Sequence, residues 1–315
     1  MYRKLCVCVL LAVMQSSATE FPQEKTNTQQ KHSAHTILFL SDTQQPLWFE
    51  TLRLKKQNNE EATQKIYSAI EKETSAVALF HLGDFTAAGM FDSYWEAFDA
   101  FHSHLTIPIY PAFGKHDYYF FPPNAKENFN RRFLIYSPSW YVKKIEHVAI
   151  VVLNSNFSFL SNDEQSAQTR WYNKELAKLD TDSTVSVVIV ASHDPPYTNS
   201  TIVPPEERVQ KEFATPFIKY KKCKIFLSGH AHAYEHFRKE EKDFLVIGGG
   251  GGLLHPLLPG SEQRYADISP LKNEQRFFHY VECELLPTEL HFNVKMLRKD
   301  FSGFDIADRI SIPYK

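Results

Sequence analysis

Short apolar runs of β-forming residues alternate along this chain with segments in which apolar residues recur every three or four positions. The apolar runs predict strands at 36–40, 76–82, 107–113, 147–153, 185–191, 224–227 and 244–247. The periodic segments predict amphipathic helices at 60–73, 94–105 and 166–179. This alternation of strand and helix predicts an α/β fold in which sheets are buried under helices.

The C-terminal part of the chain follows a different pattern. Residues 277–285 and 289–297 flank a Leu-Pro-Thr turn, which predicts an antiparallel hairpin. The sequence contains no internal repeat and no break in composition after residue 35. We therefore expect residues 35–315 to form one domain.

Composition excludes some classes of protein. The chain has 315 residues, of which 37 are acidic and 35 basic, and 43% are hydrophobic. It is too apolar to be disordered. The net charge of −2 argues against a nucleic-acid partner. Beyond the N-terminus, no apolar run approaches the ~20 residues needed to cross a bilayer, so we expect no membrane span in the mature chain.

The N-terminus has the pattern of an export signal. Arg3 and Lys4 precede an apolar stretch at 5–14, and Ser16-Ser17-Ala18 supplies small residues before a cleavage point. We predict a signal peptide at 1–18 and a flexible, polar linker at 19–34. The expected location is secreted or periplasmic, or an endomembrane lumen if the source is a eukaryote.

Two cysteines remain after the signal peptide, Cys223 and Cys283. An exported chain could pair them, but two buried free thiols on strands fit the sequence equally well.

Five predicted strands end in carboxylate or imidazole side chains. These residues are Asp42, Asp84, His116 with Asp117, His193, and His230 with His232. Because the carboxyl ends of strands in α/β sheets meet in one crevice, we expect these side chains to converge. Oxygen and imidazole donors without thiolates suit Mn, Fe or Zn, and a bridging Asp suits a pair of ions. The cofactor prediction is one or two divalent or trivalent metal ions.

The order of these motifs resembles that of the calcineurin-like metallophosphoesterase superfamily. The segments 229–235 and 193–197 further resemble motifs of its purple-acid-phosphatase-like branch. The resemblance implies a metallophosphoesterase-type β-sandwich flanked by helices, with a metal site at the carboxyl ends of the strands.

The resemblance also implies a set of metal ligands. They fall on Asp42, Gln44, Asp84, His193, His230 and His232. Asp84 would bridge two ions, with Asp42 and His232 on the first and with His193 and His230 on the second. Gln44 stands where the general family has His, and its amide oxygen would be a weaker ligand.

The implied chemistry is attack of metal-activated water on a phosphate ester. His116 would contact the phosphate or protonate the leaving group, and Asp117 would orient His116. Ala87 stands where true purple acid phosphatases have Tyr, so we do not expect their charge-transfer iron site.

Lys115 stands where the family has an Asn ligand of the second metal, and an ammonium is a poor ligand. Lys115 could weaken the second metal and bind the substrate phosphate itself. It could point away and leave the second metal in place. Alternatively, the whole site could have become a binding site without catalysis.

Other segments near the motifs have less specific interpretations. Gly248–Gly252 follows a strand without a P-loop lysine, which predicts a tight loop near the site. Residues 118–132 could form either a substrate-facing lid or an aromatic part of the core. We expect His81, His147 and His279 to be structural, whereas His236 and His255 could support the metal ligands.

The sequence therefore favours an exported metal-dependent phosphoesterase acting on phosphomonoesters or small phosphodiesters. The expected partner is a small phosphate ester. The main alternative is a non-catalytic phosphate- or metal-binding protein with a degenerate site. A secreted nuclease is disfavoured, because an acidic protein repels polyanions.

Overall fold

The computed structural model of the chain describes residues 35–133, 138–271 and 275–314. The predicted signal peptide at 1–18 and linker at 19–34 lie outside these residues. Within the described part, no helix combines the length and the apolar composition that crossing a membrane requires.

The described residues form twelve strands and six helices. The strands are β1 (Thr36–Leu40), β2 (Ala76–His81), β3 (Ile109–Pro111), β4 (Tyr141–Ile145), β5 (Val148–Val152), β6 (Val187–Ser192), β7 (Cys223–Ser228), β8 (Tyr234–Lys239), β9 (Lys242–Ile247), β10 (His279–Leu285), β11 (Glu289–Leu297) and β12 (Phe304–Pro313). The helices are α1 (Asn59–Ile70), α2 (Glu96–His104), α3 (Pro122–Arg132), α4 (Asn162–Thr181), α5 (Glu207–Val209) and α6 (Thr215–Lys219). A π-helical stretch, Gln210–Ala214, joins α5 to α6.

The strands form two six-stranded mixed sheets. The first has the order β12-β11-β10-β1-β2-β3, and the second has the order β4-β5-β6-β7-β9-β8. Strands β1 to β3 are parallel to one another, and so are β5, β6, β7 and β9. The carboxyl ends of these parallel strands carry the predicted ligand motifs.

The two sheets pack face to face, and helices cover their outer faces. In β1, Ile37 and Phe39 belong to the core between the sheets, together with Ile189 of the second sheet. Leu38 points to the other face and packs in the cluster that contains Ile66 of α1. Burial on both faces explains why these strands are continuous apolar runs rather than alternating ones. The predicted α/β sandwich flanked by helices is confirmed.

Several boundaries differ from the sequence prediction. Helix α4 begins earlier than expected, because Ser161 and Glu164 form a capping box at its N-terminus. The predicted C-terminal hairpin is confirmed as β10 and β11. Strands β4, β8 and β12 were not predicted. Strand β8 has the sequence Tyr-Glu-His-Phe-Arg-Lys, which lacks the apolar run that predicts a strand.

The two cysteines of the described part are free and buried. Cys223 begins β7 of one sheet and Cys283 lies in β10 of the other. Of the two alternatives left open by the sequence, the structure has the free thiols.

Candidate metal centre

The loops that follow β1, β2 and β7 each place a non-glycine residue in the left-handed region of backbone space. These residues are Asp42 (φ 61°), Asp84 (φ 55°) and His230 (φ 64°). Non-glycine residues rarely adopt this conformation, and they concentrate at functional sites when they do. Hydrogen bonds hold it here: the Asp42 amide donates to the Gly83 carbonyl at 3.0 Å, and the His230 amide donates to Asp42 Oδ2 at 2.9 Å.

The predicted metal ligands come together in two clusters that share one carboxylate. Asp84, His193 and His230 form one cluster, and Asp42, Asp84 and His232 form the other. Within each cluster, the potential ligand atoms all lie within 4.8 Å of one another. The aspartates Asp42 and Asp84 are completely buried. A shared carboxylate between two ligand sets is the arrangement of a bridged two-metal site.

The tautomers of two histidines fit metal coordination. His193 Nδ1 is 3.0 Å from the Leu82 carbonyl, and His232 Nδ1 is 2.9 Å from the Leu253 carbonyl. Each Nδ1 must therefore carry the proton, which leaves a lone pair on each Nε2. His193 Nε2 is buried without a hydrogen-bond partner, 3.3 Å from Asp84 Oδ2. Metal-binding histidines characteristically donate their second ring N–H to a carbonyl in this way.

The charges of the centre also favour a bound cation. Burial alone would lower the pKa of His193, but the Asp84 carboxylate outweighs it and raises the pKa to about 10. Burial likewise opposes charge on His232, and Asp42 still raises its pKa. The buried carboxylates therefore attract positive charge, as protons or as metal ions. The residues present fit a metal site.

Gln44 presents its side-chain oxygen to the cluster of Asp42, Asp84 and His232. Its amide nitrogen donates to the main-chain carbonyls of Asp42 and Asp84, at 3.2 Å each. Its oxygen then lies 3.2 Å from His232 Nε2. We assign this orientation from the hydrogen-bond partners. In this orientation the Gln44 side-chain oxygen faces the cluster, as expected for the metal ligand that the sequence predicted at this position.

Glycines make room for the ligands. A Cβ on Gly229 would overlap Ser41 Oγ and the Asp42 carboxylate, and one on Gly114 would overlap Asp84. A Cβ on Gly252 would overlap the His232 ring. The absence of a side chain at these positions lets the backbone approach the ligands closely.

Lys115 is directed into the centre rather than away from it. Its Nζ lies 2.6 Å from Asp194 Oδ1 and 3.2 Å from His230 Nε2. Asp194 is buried, and its other carboxylate oxygen accepts a hydrogen bond from Ser155 at 2.8 Å. The alternative in which Lys115 points away is therefore wrong. Its ammonium stands beside the cluster of Asp84, His193 and His230.

His116 and Asp117 lie next to the shared carboxylate but have different environments. The main-chain amide of His116 donates to Asp84 Oδ1 at 2.8 Å, and its Nδ1 is 2.8 Å from the Ala87 carbonyl. That carbonyl places the ring proton on Nδ1 in the neutral form and fixes the ring orientation. Nε2 lies 3.6 Å from Glu50 Oε1.

The Asp117 carboxylate braces the loops instead of holding the His116 ring. It accepts hydrogen bonds from the main-chain amides of Asp84 at 3.0 Å, Phe85 at 2.9 Å and Gly114 at 2.8 Å. It thereby fixes the loop after β2 to the loop after β3. Its expected role in orienting His116 is taken over by the Ala87 carbonyl.

Sequence reasoning missed three groups of the centre: the Asp194 carboxylate, the Ala87 carbonyl and Glu50. Asp194 follows a predicted ligand directly, and its position in the His-Asp-Pro-Pro motif was the available signal. The other two leave no signal, because a main-chain carbonyl has no residue type and nothing in the sequence pairs Glu50 with His116, which lies 66 positions later.

His255 supports the metal centre, as the sequence allowed. Its ring stacks on the His232 ring with 4.3 Å between centroids, and its Nδ1 accepts a hydrogen bond from the His232 amide. Burial lowers the pKa of His255 to about 2, with a further contribution from His232. His236 instead bonds Asp243 and Asp308.

The glycine loop and the aromatic segment also have defined places. Gly250 and Gly252 donate main-chain hydrogen bonds to the carbonyls of Ser41 and Asp42, which confirms a tight loop against the site. The segment at 118–132 was expected to be either a lid or an aromatic part of the core. Phe129 is buried in the core, whereas Phe120 and Phe121 are exposed.

Comparison with known proteins agrees with this geometry. The family model for calcineurin-like phosphoesterases matches residues 35–234. Purple acid phosphatase 22 of Arabidopsis thaliana is 28% identical over 169 residues, which cover 50% of this chain and 38% of that protein. Probable purple acid phosphatase 20 of the same plant is 27% identical over 222 residues, 62% of this chain and 50% of that protein. The chain thus spans half or less of the length of these relatives.

Solved structures share the fold. The purple acid phosphatase PPD1 from yellow lupin superposes with a TM-score of 0.65 at 16% identity, covering 89% of this chain and 54% of that one. A dimetal phosphatase from Danio rerio gives a TM-score of 0.56 at 13% identity, covering 90% of this chain and 100% of that one. At these identities the likeness is one of fold.

Proposed function

Because the chain belongs to the calcineurin-like phosphoesterase family, we propose that it is an exported metal-dependent phosphoesterase of the purple-acid-phosphatase-like branch. Its substrates would be phosphomonoesters or small phosphodiesters. One observation carries the proposal: two ligand clusters share the buried Asp84 carboxylate, and His116 lies beside that carboxylate. Export rests on the signal-peptide pattern of residues 1–18.

The residues that would bind metal fall into two sets that share Asp84. Asp42, Gln44 and His232 would hold one ion with Asp84, and His193 and His230 would hold the second with Asp84. Bound Mn, Fe or Zn would lower the pKa of water and neutralise charge on the phosphate.

The remaining residues act on the ester itself. A water oxygen bonds to phosphorus and releases its proton to solvent, as the bond from phosphorus to the alcohol oxygen breaks; solvent afterwards restores the proton that His116 gives up. His116, in its charged form, gives its Nε2 proton to the departing alcohol oxygen. The Ala87 carbonyl keeps Nδ1 in place during this transfer. Lys115 places an ammonium next to His230, where it stabilises the negative phosphate oxygens.

The test is release of the alcohol from an aryl phosphate monoester and from the matching diester by the Mn²⁺-loaded chain. Turnover that Asp84→Asn abolishes supports the proposal. A His116→Ala variant should lose about 10²–10⁴-fold in rate. That loss should shrink for esters with acidic phenols, which need no proton to leave. A folded, metal-loaded chain that hydrolyses neither ester contradicts the proposal.

A second candidate function is binding of phosphate or metal without turnover. The ion pair of Lys115 with the buried Asp194 favours it, because the ammonium takes space and charge beside the second cluster. In that case phosphate would bind to the loaded chain and no ester would be cleaved.

A further inference from the structure

The exposed apolar side chains of this protein are concentrated around the metal centre. Among the described residues, eight large hydrophobic side chains are exposed, and six of them lie on loops that follow site residues. These six, which we name the apolar rim, are Trp48, Phe49, Leu52, Phe91, Phe120 and Phe121. Isolated exposed apolar residues are common in soluble proteins, but a group bordering a functional site requires an explanation.

The rim has two parts, Trp48 with Phe49 and Leu52, and Phe91 with Phe120 and Phe121. A residue adjacent in sequence to each part lies near His116. On one part, Glu50 lies between Phe49 and Leu52 in sequence, and its Oε1 is 3.6 Å from His116 Nε2. On the other part, the Tyr119 ring lies 4.2 Å from the His116 ring and 6.0 Å from the Phe120 ring, measured between centroids. Phe120 in turn lies 6.2 Å from Phe91. The rim residues therefore lie on both sides of His116, the residue proposed to protonate the leaving group.

The rim continues into a cavity that reaches a metal ligand. This cavity has a volume of about 220 Å³, and Phe49, Leu54, Leu253 and His232 contribute to its walls. The rim and a candidate metal ligand thus border one cavity, which Glu50, Arg53 and His255 also line.

The loop that carries Trp48 and Leu52 also carries positive charge. Arg53 and Lys55 are exposed, and within the described part of the chain neither has an ion-pair partner. Glu50 faces inward, where its Oε2 accepts the Leu47 amide at 2.7 Å. The outward surface of the loop is thus apolar and cationic.

We propose that the apolar rim docks onto an anionic lipid surface and presents lipid-borne phosphate esters to the metal centre. Exposed Trp, Phe and Leu beside Arg and Lys are the composition of lipid-interface segments. Protein interfaces, by contrast, are depleted in lysine. The proposal deepens the proposed function by naming its substrate class, and it rests on that function for the chemistry.

The test is binding of the full Mn²⁺-loaded chain to phosphatidylcholine vesicles with and without phosphatidylserine, measured by flotation. Trp48 is 75% exposed, whereas Trp95 and Trp140 are buried and Trp171 is half-buried. The part of the emission change that is lost when Trp48 is replaced therefore reports insertion of Trp48. We expect binding to the anionic vesicles with a blue shift of emission. The double variant Trp48→Ala/Leu52→Ala should bind at least about tenfold more weakly. Arg53→Gln/Lys55→Gln should weaken binding to the anionic vesicles alone.

The control is Ile306→Ala, which removes an exposed apolar side chain from β12. It should bind vesicles as the unaltered chain does. No binding to either vesicle, or equal losses in the rim and control variants, overturns the proposal. If vesicles are not bound but the KM for soluble aryl phosphates rises in the rim variants, the rim binds the alcohol part of small substrates instead.

Vesicle binding needs no turnover, so the lipid-docking proposal and the phosphoesterase proposal can each be contradicted without the other. A chain that hydrolyses aryl phosphates but ignores vesicles contradicts the lipid surface alone. A chain that binds vesicles through the rim but cleaves neither aryl phosphates nor phosphatidic acid contradicts the phosphoesterase alone.

Discussion

The ammonium of Lys115 lies 2.6 Å from the buried carboxylate of Asp194. The same ammonium is 3.2 Å from His230 Nε2, at the edge of the second ligand cluster. A fixed positive charge therefore stands where the family places a neutral metal ligand. We therefore expect the occupancy of the second metal position to depend on this pair.

Replacing Lys115 with Asn should strengthen the second metal site, because it removes repulsion and adds an oxygen ligand. We expect at least about tenfold tighter binding of the second Mn²⁺, measured by titration calorimetry. The metal-free variant should lose about 1–3 kcal/mol of unfolding free energy, since Asp194 is left buried without its partner.

The control for this substitution is Lys144→Asn, which breaks an exposed ion pair with Asp182 far from the motifs. It should change stability by less than about 1 kcal/mol and leave metal binding unaltered. Unchanged metal stoichiometry and affinity in Lys115→Asn would show that the ammonium does not govern the second position.

Asp84 belongs to both ligand clusters, whereas Asp42 belongs to one. Mn²⁺ at about 100 times its Kd should raise the unfolding free energy of the unaltered chain by about 2.7 kcal/mol for each ion bound. Asp84→Asn should abolish this gain in unfolding free energy. Asp42→Asn should keep the part of the gain that comes from the cluster of Asp84, His193 and His230. Thermal unfolding with and without Mn²⁺ measures both. Equal losses in the two variants would argue against a shared carboxylate. Asp163→Asn, at an exposed position, is the control and should keep the full gain.

Gly229 has no space for a side chain, because a Cβ there would overlap Ser41 and the Asp42 carboxylate. Gly229→Ala should destabilise the chain by about 1–3 kcal/mol and weaken metal binding by displacing Asp42. Gly303→Ala is the matched control, since its Cβ would meet Arg298 at an ordinary 3.5 Å. Denaturant unfolding compares the two variants. A Gly229→Ala variant as stable as the control would rule out the close approach described here.

Glu235 is completely buried and accepts hydrogen bonds from Thr198 and from the Asn199 amide. Burial raises its pKa from 4.5 to about 8, against the effect of those hydrogen bonds. A raised acid pKa stabilises the fold below pH 4.5, and this contribution is lost as pH rises through 8. The slope approaches about 1.4 kcal/mol per pH unit.

The Glu235→Gln variant cannot ionise and should lack this decline. Its unfolding free energy relative to the unaltered chain should therefore increase by about 2–4 kcal/mol between pH 5 and pH 9. Glu127→Gln, at an exposed position on α3, should run parallel to the unaltered chain. Parallel curves for Glu235→Gln would mean that Glu235 is already charged in the fold.

The strand-end ligands could be predicted because they depend on local features alone. A buried strand such as β1 must be apolar on both faces, and parallel pairing brings its end beside that of β2. The loop after β7 reaches this end from the other sheet, where the His230 amide donates to Asp42. The direction of Lys115 could not be predicted, because a long flexible side chain follows its charge partner, and Asp194 comes from a loop far away in sequence. Strand β8 escaped detection because its charged residues interrupt the apolar pattern.

The measurement that tests the central claim most directly is the initial rate of aryl phosphate hydrolysis during titration of the metal-free chain with Mn²⁺. The rate should rise with bound Mn²⁺ and saturate. His230→Ala, which removes one ligand from the second cluster, should lose most of it. A chain that binds Mn²⁺, remains folded and releases no phenol at any metal concentration would contradict a metallophosphoesterase and leave a phosphate- or metal-binding protein.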